Sequence, residues 1–132
     1  MLEEKLMLIP ERGHIKMLPF EPGENDLDFF YEHLNCDLID IVRPYMLQKE
    51  TGKCKNIILI VDDEGLLKAN PKPNIFASLA YGYPIFGKAI VAKEQARDDG
   101  IYTVGLNEND AKEFNEAMLE VIDNIKNIKI QF

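Results

Sequence analysis

Nucleophilic catalysis needs a base beside its nucleophile, and His14 and His33 are the only imidazoles in this chain. His33 falls within Phe29-Phe30-Tyr31-Glu32-His33-Leu34, where a helix-surface histidine is the ordinary reading, and neither histidine stands in a Ser-His or Cys-His context. Cys36 and Cys54 are 18 positions apart and form no CxxC pair, so they read as reduced thiols, not as a bridge or half of a zinc site. Asp62, Asp63 and Glu64 are clustered, but in a turn whose plain reading is solvation, and no EF-hand spacing surrounds them. Neither a Walker-type phosphate loop nor GxGxxG occurs. The chemistry these residue types support is binding, without catalysis, metal or cofactor.

Two constellations carry that expectation. The first is the block that runs from Lys68 through Asn70, Lys72 and Asn74 to Tyr81, Tyr83 and Lys88. Amides there can read polar edges, tyrosines can stack and lysines can neutralise a small anion such as a nucleotide. Its plainer reading is a proline-shaped loop with packed tyrosines and solvated lysines. The second constellation is Glu113, Glu116, Glu120 and Asp123, whose three- or four-residue spacing aligns four carboxylates along one helix face. Such a stripe can enter a partner's basic groove, and it can equally be an ordinary solvated face.

Charge is distributed to match. Residues 21–40 hold seven acids and no Lys or Arg, and residues 94–123 hold nine acids against Arg97 and Lys112. Residues 41–93 hold eight Lys and Arg against four acids, the basic part of a chain whose net charge is −8. That sign, with no Arg-rich helix, disfavours direct nucleic-acid binding. The 132 residues, 46% of them hydrophobic, suffice for one domain over 1–132 with a core that needs no disulfides. No apolar run approaches the ~18 residues of a membrane span, and Met1 to Lys5 carries acid where a secretory leader carries base. The expected location is cytoplasmic.

The elements that must position these residues read as an α+β fold, a mostly antiparallel sheet of about five or six strands with two main helices. Residues 6–9 and 14–18 suggest a hairpin, with Pro10 confining the first strand to an edge or end. After Pro22-Gly23, Asn25 or Asp26 can cap a helix with Leu27, Phe30 and Leu34 on one face, ended at Asn35. Strands are expected at 38–42 and 56–62, the latter placed centrally because it is almost wholly apolar. Asp62 to Gly65 reads as a tight turn with Gly65 at positive φ, and 66–68 as a returning strand. A shaped loop at 70–74 leads to one helical turn at 75–80, stopped by Gly82, and a strand at 84–92. Residues 93–100 read as loop and 101–104 as a last strand. Asn107 caps a long helix whose stripe is Ala111, Phe114, Met118, Val121, Ile122 and Ile125.

In order, Asp63-Glu64-Gly65-Leu66-Leu67, Asn70-Pro71 with Asn74, Ala77-Ser78-Leu79, Tyr81-Gly82 and Pro84-Ile85 with Gly87, Ala89-Ile90-Val91 form a series. This series resembles a family of small domains of unknown function found mainly in phages, prophages and mobile elements of low-GC bacteria. The resemblance spans roughly residues 27–91 and implies an accessory-genome setting but no activity. The expectation is a phage-type accessory protein that binds a host protein, with the acidic helix face as its candidate surface; the second reading is a small-anion binder. A homodimer paired through the 84–92 strand or the N-terminal hairpin is a third expectation.

Overall fold

The strand with the most apolar sequence organises the molecule. In a computed structural model, which describes residues 4–21 and 26–126, Ile57–Asp62 has five successive buried residues. Alternation sends Ile57, Leu59 and Val61 into one core cluster and Ile58 and Ile60 into the other. Counting in chain order, the strands are β1 (Lys5–Ile9), β2 (Lys16–Pro19), β3 (Ile39–Val42), β4 (Ile57–Asp62), β5 (Ala89–Arg97) and β6 (Gly100–Val104). The helices are α1 (Asp26–Leu34), α2 (Tyr45–Thr51), α3 (Ile75–Tyr81) and α4 (Glu108–Lys126).

All strand pairings are antiparallel, in the order β2-β1-β5-β4-β3, with β6 also paired to β5. Register explains how β5 serves three neighbours. Its first residues pair with β1 as Met7↔Val91 and Ile9↔Ala89, while Lys93↔Val104 through Arg97↔Gly100 join it to β6. Strands β1 and β6 thus lie end to end along one edge of β5, linked by a Lys5↔Leu106 bridge. The fold is α+β, with α1 over one face and α2, α3 and α4 over the other.

Helix ends follow their residues. Asn35, at φ 52°, closes α1, and Gly82, at φ 98°, closes α3. At the start of α4, Asp110 N–H donates to Asn107 Oδ1 (2.8 Å) and Asn107 N–H to Asp110 Oδ2 (2.9 Å), a reciprocal cap. Along α4, Phe114, Ala117, Met118 and Val121 are buried. The Pro22-Gly23 turn and the Asn25 cap lie outside the described residues.

Several local expectations are corrected. Gly65–Leu67 is a 3₁₀ turn and no strand follows it; Gly65 has no positive φ, and its need is space, since a Cβ there would lie 2.3 Å from the Phe86 carbonyl oxygen. Strand β5 starts at Ala89, because Pro73↔Phe86 is only an isolated bridge. Residues 93–97 extend β5, and Asp98-Asp99 turns it into β6; Arg97 sits 4.4 Å from the Tyr102 ring centroid and Tyr102 Oη donates to Asp99 at 2.6 Å. Polar side chains hid this strand because its outer half is exposed. Helix α2 was not expected; Pro44 before it, and Gly52 after it at φ 70°, are its sequence marks. Since β5 is flanked by β1 and β4, residues 89–92 have no free edge for a dimer, whereas β2 of the N-terminal hairpin is an edge strand.

Candidate binding site

The loop block separates into a framework residue, a lysine hollow and a tyrosine row. Asn74 is the framework residue, 1% exposed at the start of α3. Its Nδ2 donates to the Ile9 (3.0 Å) and Gly87 (2.9 Å) carbonyls, and its Oδ1 accepts from the Ala77 N–H at 3.1 Å. Both amide protons and the oxygen are engaged, so this side chain joins β1, the β5 approach and α3 instead of facing a ligand. Ser78 completes the joint, its Oγ accepting from the Ile85 N–H at 2.8 Å.

Lys68, Asn70, Lys72 and Lys88 do converge. They line a hollow of about 220 Å³ together with Gly65, Gly87, Asp62 and Glu11. Lys68 Nζ lies 3.4 Å from Asp62 Oδ2, and that carboxylate also accepts from the Glu64 N–H at 2.9 Å. Tyr81 and Tyr83 lie elsewhere, in an aromatic row with Tyr45 whose successive centroids are 6.0 and 5.7 Å apart. They belong to the surface of α2 and α3.

That surface holds a larger feature, a cleft of about 770 Å³ where α2, α3 and α4 meet. Met46, Ile75, Leu79, Tyr83, Val121 and Ile125 line it, with Glu50 and Asn124 beside them. Its physical origin is the shortness of α2 and α3, seven residues each, beside the nineteen of α4. Ile75 and Tyr83 remain 62% and 69% exposed. Two apolar side chains left in water within one concavity are the kind of surface that proteins use for association. From sequence, Tyr83 was the one cleft residue singled out; the others come from α2, which was missed, and from core-type positions.

None of the four carboxylates of α4 lines this cleft, but Asn124, which does, stands one turn beyond Glu120 on the same side of the helix. All four carboxylate residues are exposed, but they are not equally free. Glu113 Oε1 accepts from the Cys54 N–H at 2.6 Å, supporting Cys54 at φ 68°, a left-handed position that a side chain rarely takes. Lys53 Nζ lies 4.0 Å from Glu116 and 3.7 Å from Glu120. Asp123 continues the row beyond this lysine.

Comparison adds no relative. No family model, curated protein or solved structure matches this chain. The chemistry therefore rests on the geometry alone. His33 lies against Phe29, ring centroids 4.3 Å apart, and the two thiols are buried in clusters on opposite faces of the sheet, where they cannot pair. Burial and then the Asp62 charge raise the Cys36 thiol; burial and then Glu113 push Cys54 up to about 12, away from a reactive thiolate. Among the described residues no cluster of three His, Cys, Asp or Glu is placed to hold a metal ion, and no helix is long and apolar enough to cross a membrane.

Proposed function

We propose that this chain is a non-catalytic accessory protein of phage or mobile-element type that acts by holding a segment of a host protein. The observation that carries the reading is the apolar cleft between α2, α3 and α4, with Asn124 at its wall one turn beyond Glu120 of the carboxylate row. An amphipathic helix with a basic flank fits both parts: its apolar residues replace water at Ile75, Leu79 and Tyr83, and its lysines or arginines meet Glu116, Glu120 and Asp123. Charge supplies approach and orientation, while the apolar contacts hold the complex. The sequence resemblance to phage and prophage domains supplies the setting.

The test places a photoreactive amino acid at Tyr83, cross-links in a bacterial host lysate and maps the captured peptide. The expected product is a basic amphipathic segment of one host protein, with affinity lowered at least tenfold by Ile75→Asp and made less salt-sensitive by Glu116→Gln with Glu120→Gln. A cross-link to residues 127–132 of the same chain, or to a second copy, overturns the reading. So does capture indifferent to Ile75→Asp.

A further inference from the structure

The lysine hollow lies by the α1 side of the sheet, where Leu34 and Asn35 also border it, away from the cleft. Its walls are backbone held by backbone. Gly87 N–H donates to the Lys72 carbonyl at 2.8 Å, Asn74 N–H to the Ile85 carbonyl at 2.8 Å, and Pro73 and Phe86 form an antiparallel bridge. Lys72 therefore faces Gly87 across this short ladder, with Lys88 next in line. Gly65 closes the floor by abutting the Phe86 carbonyl, an approach open only to a residue without Cβ.

The charges in this frame do not balance. Asp62 is matched by Lys68, which leaves Glu11 against Lys72 and Lys88 in the lining. Among the described residues neither Lys72 nor Lys88 has an ion-pair partner, although the chain carries 23 acids. Two lysines lining one hollow with only Glu11 left to offset them give it a net positive charge, which an oxyanion neutralises. The Asn70 amide adds a neutral donor at the same rim.

We infer that this hollow is a phosphate site, with Lys72 and Lys88 as its charged ligands, Lys68 as an auxiliary cation and Asn70 as a hydrogen-bond donor. Its size and the removal of Tyr81 and Tyr83 to another surface confine recognition to the phosphate group; a nucleoside or peptide attached to it lies outside, unread by aromatic stacking. The ligand is a phosphate dianion, free or as a monoester, and binding needs no residue of the cleft.

The experiment is an amide-resolved NMR titration of the whole chain at constant ionic strength with inorganic phosphate, AMP and phosphoserine, using chloride as the balancing anion. The proteins are the wild type, Lys72→Ala, Lys88→Ala and, as a distant control, Lys49→Ala. Saturable shifts at Gly65, Lys72, Gly87 and Lys88, weakened at least tenfold in both hollow variants and unchanged in Lys49→Ala, establish the site. Equal affinity for all three probes shows that the phosphate group alone is read, weaker binding of both AMP and phosphoserine assigns free phosphate, and tighter binding of either assigns a monoester. Linear, non-saturating shifts, or the same response in the hollow variants, overturn it. Since Lys72 is exposed and Lys88 only half-buried, both variants keep the fold, which their unperturbed spectra verify.

Discussion

Asn74 reaches Ile9 across 65 positions of sequence: its Nδ2 donates to that carbonyl at 3.0 Å and, from the same nitrogen, to Gly87 at 2.9 Å. One amide thereby ties an inner strand, the loop before β5 and the first turn of α3. Asn74→Ala leaves two carbonyls and one helical N–H without their partner and costs about 3 kcal/mol. Asn74→Asp keeps the cap acceptor but turns a carboxylate toward two carbonyl oxygens, so it is expected to cost at least as much. Urea midpoints read both losses; an effect below about 1 kcal/mol for Asn74→Ala would sink the assignment.

Gly65 illustrates the difference between space and conformation. Its φ is not in the left-handed region, yet a Cβ would stand 2.3 Å from the Phe86 carbonyl oxygen. Gly65→Ala must push the turn away from the loop before β5, with an overpacking cost of about 2 kcal/mol. The displacement also opens the lysine hollow. Thermal unfolding, with amide shifts at Phe86 and Gly87, measures both consequences.

Asp110 does two jobs that can be separated. Its Oδ2 accepts from Asn107 N–H at 2.9 Å and from Lys93 Nζ at 2.7 Å. Asp110→Ala removes half of the reciprocal cap together with the ion pair and should lower stability by about 1 to 2 kcal/mol. Lys93→Met leaves the cap in place and should cost clearly less. Equal losses in chemical denaturation would mean that the ion pair, not the cap, holds the start of α4.

Cys54 provides the pH dependence. Its thiol is raised to about 12 by burial and Glu113, from an ordinary value of 9.0. Below 9.0 both folded and unfolded states hold the proton, and the group contributes nothing that varies with pH. Between 9.0 and about 12 only the folded state keeps it, so the unfolded state binds fewer protons and stability falls as pH rises. Cys54→Ala should flatten the alkaline limb of stability against pH relative to wild type. At pH 8 the folded chain should react slowly with a thiol reagent and release two equivalents only in denaturant, since both thiols are buried and free.

Sequence alone was enough wherever a local rule decides. The continuous apolar run of β4 must be covered on both faces, Asn107 is a capping residue at the start of a long apolar-striped helix, and Asn35 and Gly82 stop helices because they tolerate left-handed backbone. These features foretold an antiparallel α+β sheet with a long covering helix. Tertiary structure decided what depends on which segments meet. A polar stretch at 93–97 is strand because β6 pairs with it, and a mixed segment at 45–51 is helix because Leu47 is buried beneath it. The loop block looked like one site because its polar residues are adjacent in sequence. Long-range contacts divide it: Asn74 turns inward to Ile9, the lysines gather by α1, and the tyrosines join Tyr45 in a row on the surface of α2 and α3. Residue type sets what a side chain can bind, but only the crossing of distant segments sets which groups face the same volume.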